Sequence, residues 1–244
     1  MSYKERPQDQ PFVHGQEIVC NACAWGSVAN AGAGMGKFSD EAYGVARHAI
    51  FVRPDSAIRR PEDLAGVEIG VALRAGSHFS VPLSLERHLP LDRIKTRNVG
   101  GHGTRLAVLL SGEVEASNLL DPEISMAEQL GLRKVLGGYV QHPVVGGRRH
   151  GCQGAGSLLS GAGWGRGGAA ARAPGGICPC GSTVSHRASA IATGIFSRFN
   201  EGEHFVYERF PMDKYLELMD QMRRWGLDDV MDRKQYEQLV LAPA

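Results

Sequence analysis

The most informative pattern in the chain is a pair of short apolar runs separated by a polar link. Ile50–Val52 ends at Arg53-Pro54, and Val67–Val71 begins directly after Gly66. Between the two runs, Pro61-Glu62-Asp63-Leu64 has the composition of a one-turn helix start. Two buried strands joined in this way indicate a crossing between two α/β lobes.

Beyond the crossing, apolar runs and amphipathic segments alternate between residues 67 and 140. The predicted strands cover residues 67–73, 94–99, 114–120 and 132–140. The predicted helices cover residues 77–89, 104–111 and 123–130. This rhythm is typical of a βαβ sheet with mainly parallel strands, so we expect an α/β fold.

The segments at the two ends of the chain are shorter. Before the crossing, the pattern predicts strands at 18–25 and 43–52, separated by a flexible glycine-rich loop at 26–36. Near the end, a helix is predicted from Phe210 to Trp225, where Gly226 ends it, and a second helix closes the chain at 234–241.

The stretch between Gln129 and Asn200 contains no Asp or Glu, and 13 of the 36 residues in 146–181 are Gly. A basic linker that touches RNA, a disordered surface insertion and a reading-frame slip in GC-rich DNA would each give such a composition. We favour the frame slip, because ordinary periodicity resumes abruptly after Phe196. The predicted organisation is a partial first lobe, a second lobe, this irregular segment and C-terminal helices that return to the first lobe, with bounds 1–64, 65–143, 144–184 and 185–244.

Composition narrows the function classes. The 244 residues carry 27 Lys and Arg against 26 Asp and Glu, a net charge of +1, which favours neither nucleic acid nor an anionic membrane as a partner. No apolar run approaches the roughly 20 residues of a membrane-spanning helix. The first residues lack a secretory apolar core, which predicts a cytoplasmic location as written, or a periplasmic or membrane-associated one if the N-terminus is incomplete.

Neither a metal nor a cofactor is predicted. The five cysteines are an odd number, which argues against a disulfide framework. Cys20 and Cys23 have the CxxC spacing, but a zinc site needs a second pair of ligands. The segment 31–39 departs from the phosphate-binding loop pattern at Ala31 and Phe38, which excludes nucleotide hydrolysis by that loop.

The best candidate site lies where the strand after the crossing ends and a helix begins. Gly76, Ser77, His78 and Ser80 occupy this junction. Free N–H groups and the helix dipole make such a place suited to anions. The alternative is that Ser77 simply caps the helix.

Two further strand ends carry candidate residues. Gly101 and Thr104 follow the next predicted strand, where a plain turn with a Thr cap is the favoured alternative. Asn118 lies near the end of the third strand. Because open α/β sheets bind ligands at the carboxyl ends of their strands, we expect all three ends to face one cleft.

The region before the crossing contributes four more candidates. Trp25 could stack on a ligand and Ser27 could donate a hydrogen bond, although a core Trp and a loop Ser are equally good interpretations. Arg47 and His48 form a predicted cationic pair able to hold a carboxylate. Their alternative is an exposed strand edge.

Three phrases carry a family resemblance: the crossing itself at 51–71, RLAVLLSGEVEASNLLDP at 105–122 and AEQLGLRKVL at 127–136. They resemble type II periplasmic solute-binding proteins, particularly the nitrate, sulfonate and taurine group and the thiamine-pyrimidine-precursor group. The resemblance implies a two-lobed fold with a truncated first lobe. It also implies an anionic ligand, a carboxylate or sulfonate, held in the interlobe cleft and passed to an ABC-type permease.

The same resemblance leaves two alternatives. Residues 47–66 are similar to a stretch of 4,5-dihydroxyphthalate decarboxylases, and related desulfinases use a cysteine nucleophile. These relatives imply a cytosolic lyase or hydrolase acting on an aromatic acid, with His48, His78 or Cys23 as the reacting group. The missing start of the first lobe and the acid-free segment imply a third alternative, a remnant without function.

Overall fold

The computed structural model describes residues 19–21, 23–32, 34, 36–73, 75–146, 204–226 and 235–240. Seven strands of this part of the chain form one mixed sheet. The strands are β1 (Val19–Asn21), β2 (Lys37–Val52), β3 (Glu68–Val71), β4 (Lys95–Asn98), β5 (Ala116–Leu120), β6 (Arg133–Gly146) and β7 (His204–Val206). Their order is β1-β6-β2-β5-β3-β4, and β7 pairs with β2.

Six helices pack against this sheet. They are α1 (Ala24–Gly32), α2 (Gly76–Leu85), α3 (His102–Ser111), α4 (Glu123–Gln129), α5 (Met212–Arg224) and α6 (Tyr236–Leu239). A short 3-10 turn at Pro61–Leu64 lies within the crossing, as the Pro-Glu-Asp-Leu phrase predicts. None of the described helices is long and apolar enough to span a membrane.

The parallel strands are confined to β3, β4 and β5. The prediction of a mainly parallel sheet is therefore wrong for the strand at 132–140, which belongs to β6 and runs antiparallel to β2 over almost its whole length. Gly137 permits this close pairing, because a Cβ added there would lie 2.7 Å from the backbone oxygen of His48. β6 and β2 are neighbours inside the strand order, and β2 also pairs with β5 and β7.

Three groups of buried side chains follow from this layout. An aromatic group at one end of β2 joins α1, α5 and α6, and includes Phe38 and Phe210. At the other end, the two faces of the sheet are covered separately: Ile50 belongs to the group under α2, and Phe51 to the group under α3 and α4. Neighbouring residues of β2 thus point to opposite faces of the sheet, which is the two-residue period of a strand.

The prediction for residues 18–36 is wrong. Among the described residues of this stretch, Val19–Asn21 form a strand, and α1 occupies the end of the predicted strand and most of the predicted flexible loop, with all nine of its residues buried. Alanine favours a helix and glycine disfavours it, so propensity gives no clear signal here. The small residues let α1 pack closely against β6 and α2, and burial decides the structure. The helix predicted before Gly226 is confirmed as α5, and Gly226 has the expected positive φ of +66°.

The irregular segment at 144–184 lies outside the described residues, except that 144–146 form the end of β6. The segments 1–18 and 185–203 and residue 74 also lie outside them.

Candidate functional site

The carboxyl ends of β3, β4 and β5 lie at one edge of the sheet, because the three strands are parallel neighbours. Two contacts tie their ends together. The Leu73 N–H donates to Asn98 Oδ1 over 3.1 Å, and His102 Nδ1 lies 3.2 Å from Glu123 Oε2. The geometry thus brings together the three strand ends that carry Gly76, Gly101 and Asn118.

The first turn of α2 is fixed by Ser77. Its hydroxyl accepts a hydrogen bond from the Ala72 N–H over 2.9 Å, which closes the loop between β3 and α2. The interpretation of Ser77 as a helix cap is wrong, since the capping position is Ala75 and Ser77 lies one residue inside the helix. His78 is half-buried on the same turn.

Asn118 anchors this turn to β5. Its Nδ2 group donates to the Ser77 carbonyl over 2.8 Å and to Ser80 Oγ over 2.6 Å. All three residues are at most 1% exposed. The carbonyl acceptor identifies Nδ2 as the nitrogen, so the orientation of the amide follows from its contacts. Asn118 Oδ1 is buried without a hydrogen-bond partner.

His48 extends the neutral polar network under α2. Its Nδ1 lies 3.4 Å from Ser84 Oγ, which itself donates to the Ser80 carbonyl. Burial lowers the pKa of His48 to about 4, since desolvation disfavours the charged ring. His48 is therefore neutral at pH 7.

Arg47 lies on the opposite face of β2. Its guanidinium makes a bidentate ion pair with Asp121, with both distances 2.7 Å. The hydrogen bond to Asp121 raises the pKa of Arg47. The predicted cationic pair of Arg47 and His48 is wrong, because successive strand residues point to opposite faces and the His48 imidazole carries no charge at pH 7.

The first turn of α1 contacts the first turn of α2. Cys23 precedes α1, and its Sγ accepts a hydrogen bond from the Gly26 N–H over 3.3 Å. A Cβ added at Gly76 would lie 2.9 Å from the Cys23 Cβ, so only glycine fits there without movement. The amino-terminal ends of two helices, of nine and ten residues, therefore meet at this point.

Trp25 and Ser27 lie inside the molecule, at 1% and 0% exposure. The Trp25 ring stacks on Phe79, with 5.1 Å between ring centroids and 16° between planes. This packing links α1 to α2, while the Trp25 Nε1 group is buried without a hydrogen-bond partner. The core interpretation of Trp25 fits the structure, and the loop interpretation of Ser27 does not.

The first turn of α3 holds Gly101 and Thr104 in exposed positions. Behind it lies Arg105, a residue that sequence reasoning missed, at 1% exposure. Desolvation lowers the pKa of Arg105 to about 10, against the raising effect of Glu123. Glu123 was missed as well. The apolar period of a helix or strand shows which of its faces is buried, but it does not identify the distant residue that balances a buried charge.

The described residues contain no group of three or more His, Cys, Asp or Glu side chains able to hold a metal ion. No protein-family model matches the chain, and neither does any curated protein sequence.

Solved structures do match. The chain is similar to the periplasmic aliphatic sulphonate binding protein SsuA from Escherichia coli, with 15% identity and a TM-score of 0.60, over 96% of this chain and 79% of that one. It is also similar to a periplasmic sulfonate-binding protein SsuA from Methylobacillus flagellatus KT, with 13% identity and a TM-score of 0.61, over 98% and 77%. The chain spans about half (49%) of a Bordetella bronchiseptica RB50 protein, at 18% identity, 57% coverage of this chain and a TM-score of 0.45.

The chain therefore has an α/β, two-lobed type II periplasmic-binding-protein-like fold. At 13% and 15% identity, the likeness concerns the fold. It confirms the fold that the crossing and the two later phrases imply.

Proposed function

We propose that the chain binds a small anionic organic molecule, a sulfonate or carboxylate, where the first turns of α1 and α2 meet. The observation that carries this proposal is the contact between Cys23 and Gly76. Two helix amino termini that converge combine the positive ends of their dipoles at one point, which favours an anion.

The polar network under α2 supports the proposal. Asn118 and Ser77 hold the first turn of α2 in place through neutral groups. Such groups fix the geometry without adding a negative charge that would repel the ligand. The structural neighbours support a solute-binding role, since both are named for sulfonate binding.

The proposed cellular role is solute binding for ABC-type uptake, with a membrane permease as the partner. The neighbours are named as periplasmic, and we propose that this chain acts in the same compartment.

The lyase alternative lacks a supporting contact. In the described part of the chain, the Cys23 thiol contacts the Gly26 N–H and no imidazole. His48 is buried and neutral, under α2. A nucleophile with an adjacent base, which a desulfinase-type reaction needs, is not assembled by these residues.

Thermal unfolding with matched ligands tests the proposal. We expect ethanesulfonate, taurine or butyrate to raise the Tm as concentration rises, because a ligand that binds only the folded state stabilises it. Propanol, an uncharged molecule of similar size, should not raise the Tm. Stabilisation by propanol but by none of the three sulfonate or carboxylate compounds would overturn the proposal.

An isosteric pair of variants then locates the site. Gly76→Asp places a carboxylate at the meeting point, whereas Gly76→Asn adds the same volume without charge. We expect the Asp variant to bind the stabilising anion at least tenfold more weakly than the Asn variant, by calorimetry. Equal affinities would place the anion elsewhere.

A further inference from the structure

The first turn of α3 is open to solvent and lacks a capping side chain. Its capping residue is Gly101, which has no side chain to offer. A Cβ added at Gly101 or Gly103 would meet nothing within 4 Å, and His102 and Thr104 are exposed. The N–H groups of this ten-residue helix start are thus approachable by a group several atoms wide.

A buried cation lies directly behind the turn. Arg105 is 1% exposed, yet its Nε has no hydrogen-bond partner. Its Nη2 lies 3.4 Å from His102 Nδ1, so the guanidinium folds back toward the first residue of α3. Buried guanidinium groups are normally paired with carboxylate, and Arg105 has no carboxylate oxygen among its described contacts within hydrogen-bond distance.

His102 cannot satisfy both of its neighbours. The same Nδ1 atom lies 3.4 Å from Arg105 Nη2 and 3.2 Å from Glu123 Oε2. With a proton, Nδ1 donates to Glu123 and opposes the guanidinium N–H. Without a proton, Nδ1 accepts from Arg105 and its lone pair faces the Glu123 carboxylate. Either arrangement leaves one charged group without its hydrogen bond.

We infer that the first turn of α3 is a subsite for a tetrahedral oxyanion, such as sulfate, phosphate or the headgroup of a sulfonate. The anion accepts from the N–H groups of Gly103 and Thr104 and replaces His102 as the acceptor for Arg105. His102 Nδ1 is then free to donate to Glu123. The Glu123 carboxylate is an unfavourable neighbour for the anion, and the hydrogen bond from His102 Nδ1 offsets its charge in part.

This subsite is separate from the proposed solute site at Cys23 and Gly76 and does not depend on it. The two sites are built on different helices at one edge of the sheet. Free inorganic anion and the headgroup of a larger solute share the same chemistry here, so the experiment has one arm for each.

The test is amide NMR of the whole chain, with Thr104 as the reporter. Sodium sulfate is titrated at constant ionic strength, balanced with sodium chloride, and ethanesulfonate is titrated in a second arm. We expect saturating shifts at Thr104, while amides of the exposed Arg97–Glu113 pair move little. Saturation by sulfate indicates a free-anion site; saturation by ethanesulfonate alone indicates a solute headgroup site.

Gly103→Asp and Gly103→Asn provide the matched variants. An Asp in the first turn of a helix is compatible with folding and competes with the anion. We expect Gly103→Asp to weaken the response at Thr104 at least tenfold and Gly103→Asn to retain it. Arg105→Gln should abolish saturation, and unchanged amides along β3 and β5 would show that this variant folds.

Three outcomes overturn the inference. The first is a linear, non-saturating shift that is equal at Thr104 and Arg97, which means an adventitious ion only. The second is equal binding by the two Gly103 variants, which decides the matter even if Arg105→Gln fails to fold. The third is loss of the Thr104 response in Gly76→Asp, which would assign the anion to the proposed solute site. Retention there separates the two proposals.

Discussion

The first turns of α2 and α3 stand at the same edge of one sheet and are built in opposite ways. At α2, Ser77 and Ser80 are buried and joined to Asn118 by neutral hydrogen bonds. At α3, the turn is exposed, and the buried residue is the cation Arg105. The α2 turn is held by internal hydrogen bonds, whereas the backbone N–H donors of the α3 turn face outward.

The first turns of α2 and α3 differ in structure although their sequences are similar. Both turns begin with glycine and contain a histidine, and both follow a parallel strand. At α2, buried hydrogen bonds fix the position and orientation of the turn, which lowers the entropy cost of the ligand binding that we propose there. At α3, His102 cannot hydrogen-bond to both Arg105 and Glu123, and this leaves room for the anion that we propose there. The predictions below test this contrast.

The largest expected effect is that of Asn118→Asp. The new carboxylate would face the Ser77 carbonyl in a fully buried position and would lose both donated hydrogen bonds. We expect the free energy of unfolding at pH 7 to fall by about 3 kcal/mol or more, measured by urea unfolding. Burial raises the pKa of a carboxyl, so the loss should shrink as pH falls toward about 4.

Asn98→Asp is the matched control for that variant. Asn98 is exposed and uses Oδ1 as an acceptor from Leu73, a role that a carboxylate keeps. Its free energy of unfolding should change by less than about 0.5 kcal/mol. Similar losses for the two variants would contradict the claim that the α2 turn depends on a neutral donor.

The second prediction concerns pH and His48. Its folded pKa of about 4 lies below the unfolded value of about 6.5, so the unfolded state binds more protons between these values. Stability should therefore fall as pH decreases from about 6.5 to 4, by about 2–3 kcal/mol in total. His48→Phe should flatten this part of the profile in denaturant unfolding followed from pH 7.5 to 4.5.

His88→Gln serves as the reference variant. His88 lies at the surface beside Glu62, away from the network under α2. The acid limb of its profile should match that of the wild type. If both histidine variants flatten the profile alike, the acid sensitivity does not come from the buried network.

The third prediction concerns the meeting point of α1 and α2. Gly76→Ala introduces a Cβ at 2.9 Å from the Cys23 Cβ, so the two helix ends must separate slightly. We expect a loss of about 1–2 kcal/mol in the free energy of unfolding. Cys23→Gly removes the opposing atom, and the double variant should recover most of the loss. Strictly additive effects in this double-mutant cycle would show that the two turns do not touch.

The sequence pattern was most informative about the positions of strands, turns and helices along the chain. The crossing at 51–71 and the helix before Gly226 follow from apolar runs, proline and glycine, and the structure has both. The phrases at 105–122 and 127–136 imply the correct fold. The sequence pattern failed at α1, whose small residues give no apolar period although every one of them is buried.

The chemistry of the site was harder to predict, because it depends on partners distant in sequence. Arg47 looks like a free cation until Asp121 is placed beside it, 74 residues later. His48 looks like a charged neighbour of Arg47 until the strand turns it to the other face. Arg105 follows Thr104 and precedes Leu106 in an amphipathic helix, and its burial is decided by packing and not by the local pattern.

The smallest expected effect distinguishes a glycine that merely has free space around it from a glycine whose backbone conformation other residues rarely adopt. A Cβ added at Gly103 or at Gly131 would meet nothing within 4 Å, but Gly131 has a φ of +75° and Gly103 is helical. Gly103→Ala should raise the free energy of unfolding by up to about 0.5–1 kcal/mol, since alanine favours the helix. Gly131→Ala should lower it by about 1 kcal/mol, because an L side chain is strained at positive φ. Opposite signs in thermal unfolding would show that the backbone of the α3 turn does not require glycine at position 103, so that glycine there keeps the turn accessible to a ligand. A loss at Gly103 equal to that at Gly131 would show instead that the turn itself depends on glycine.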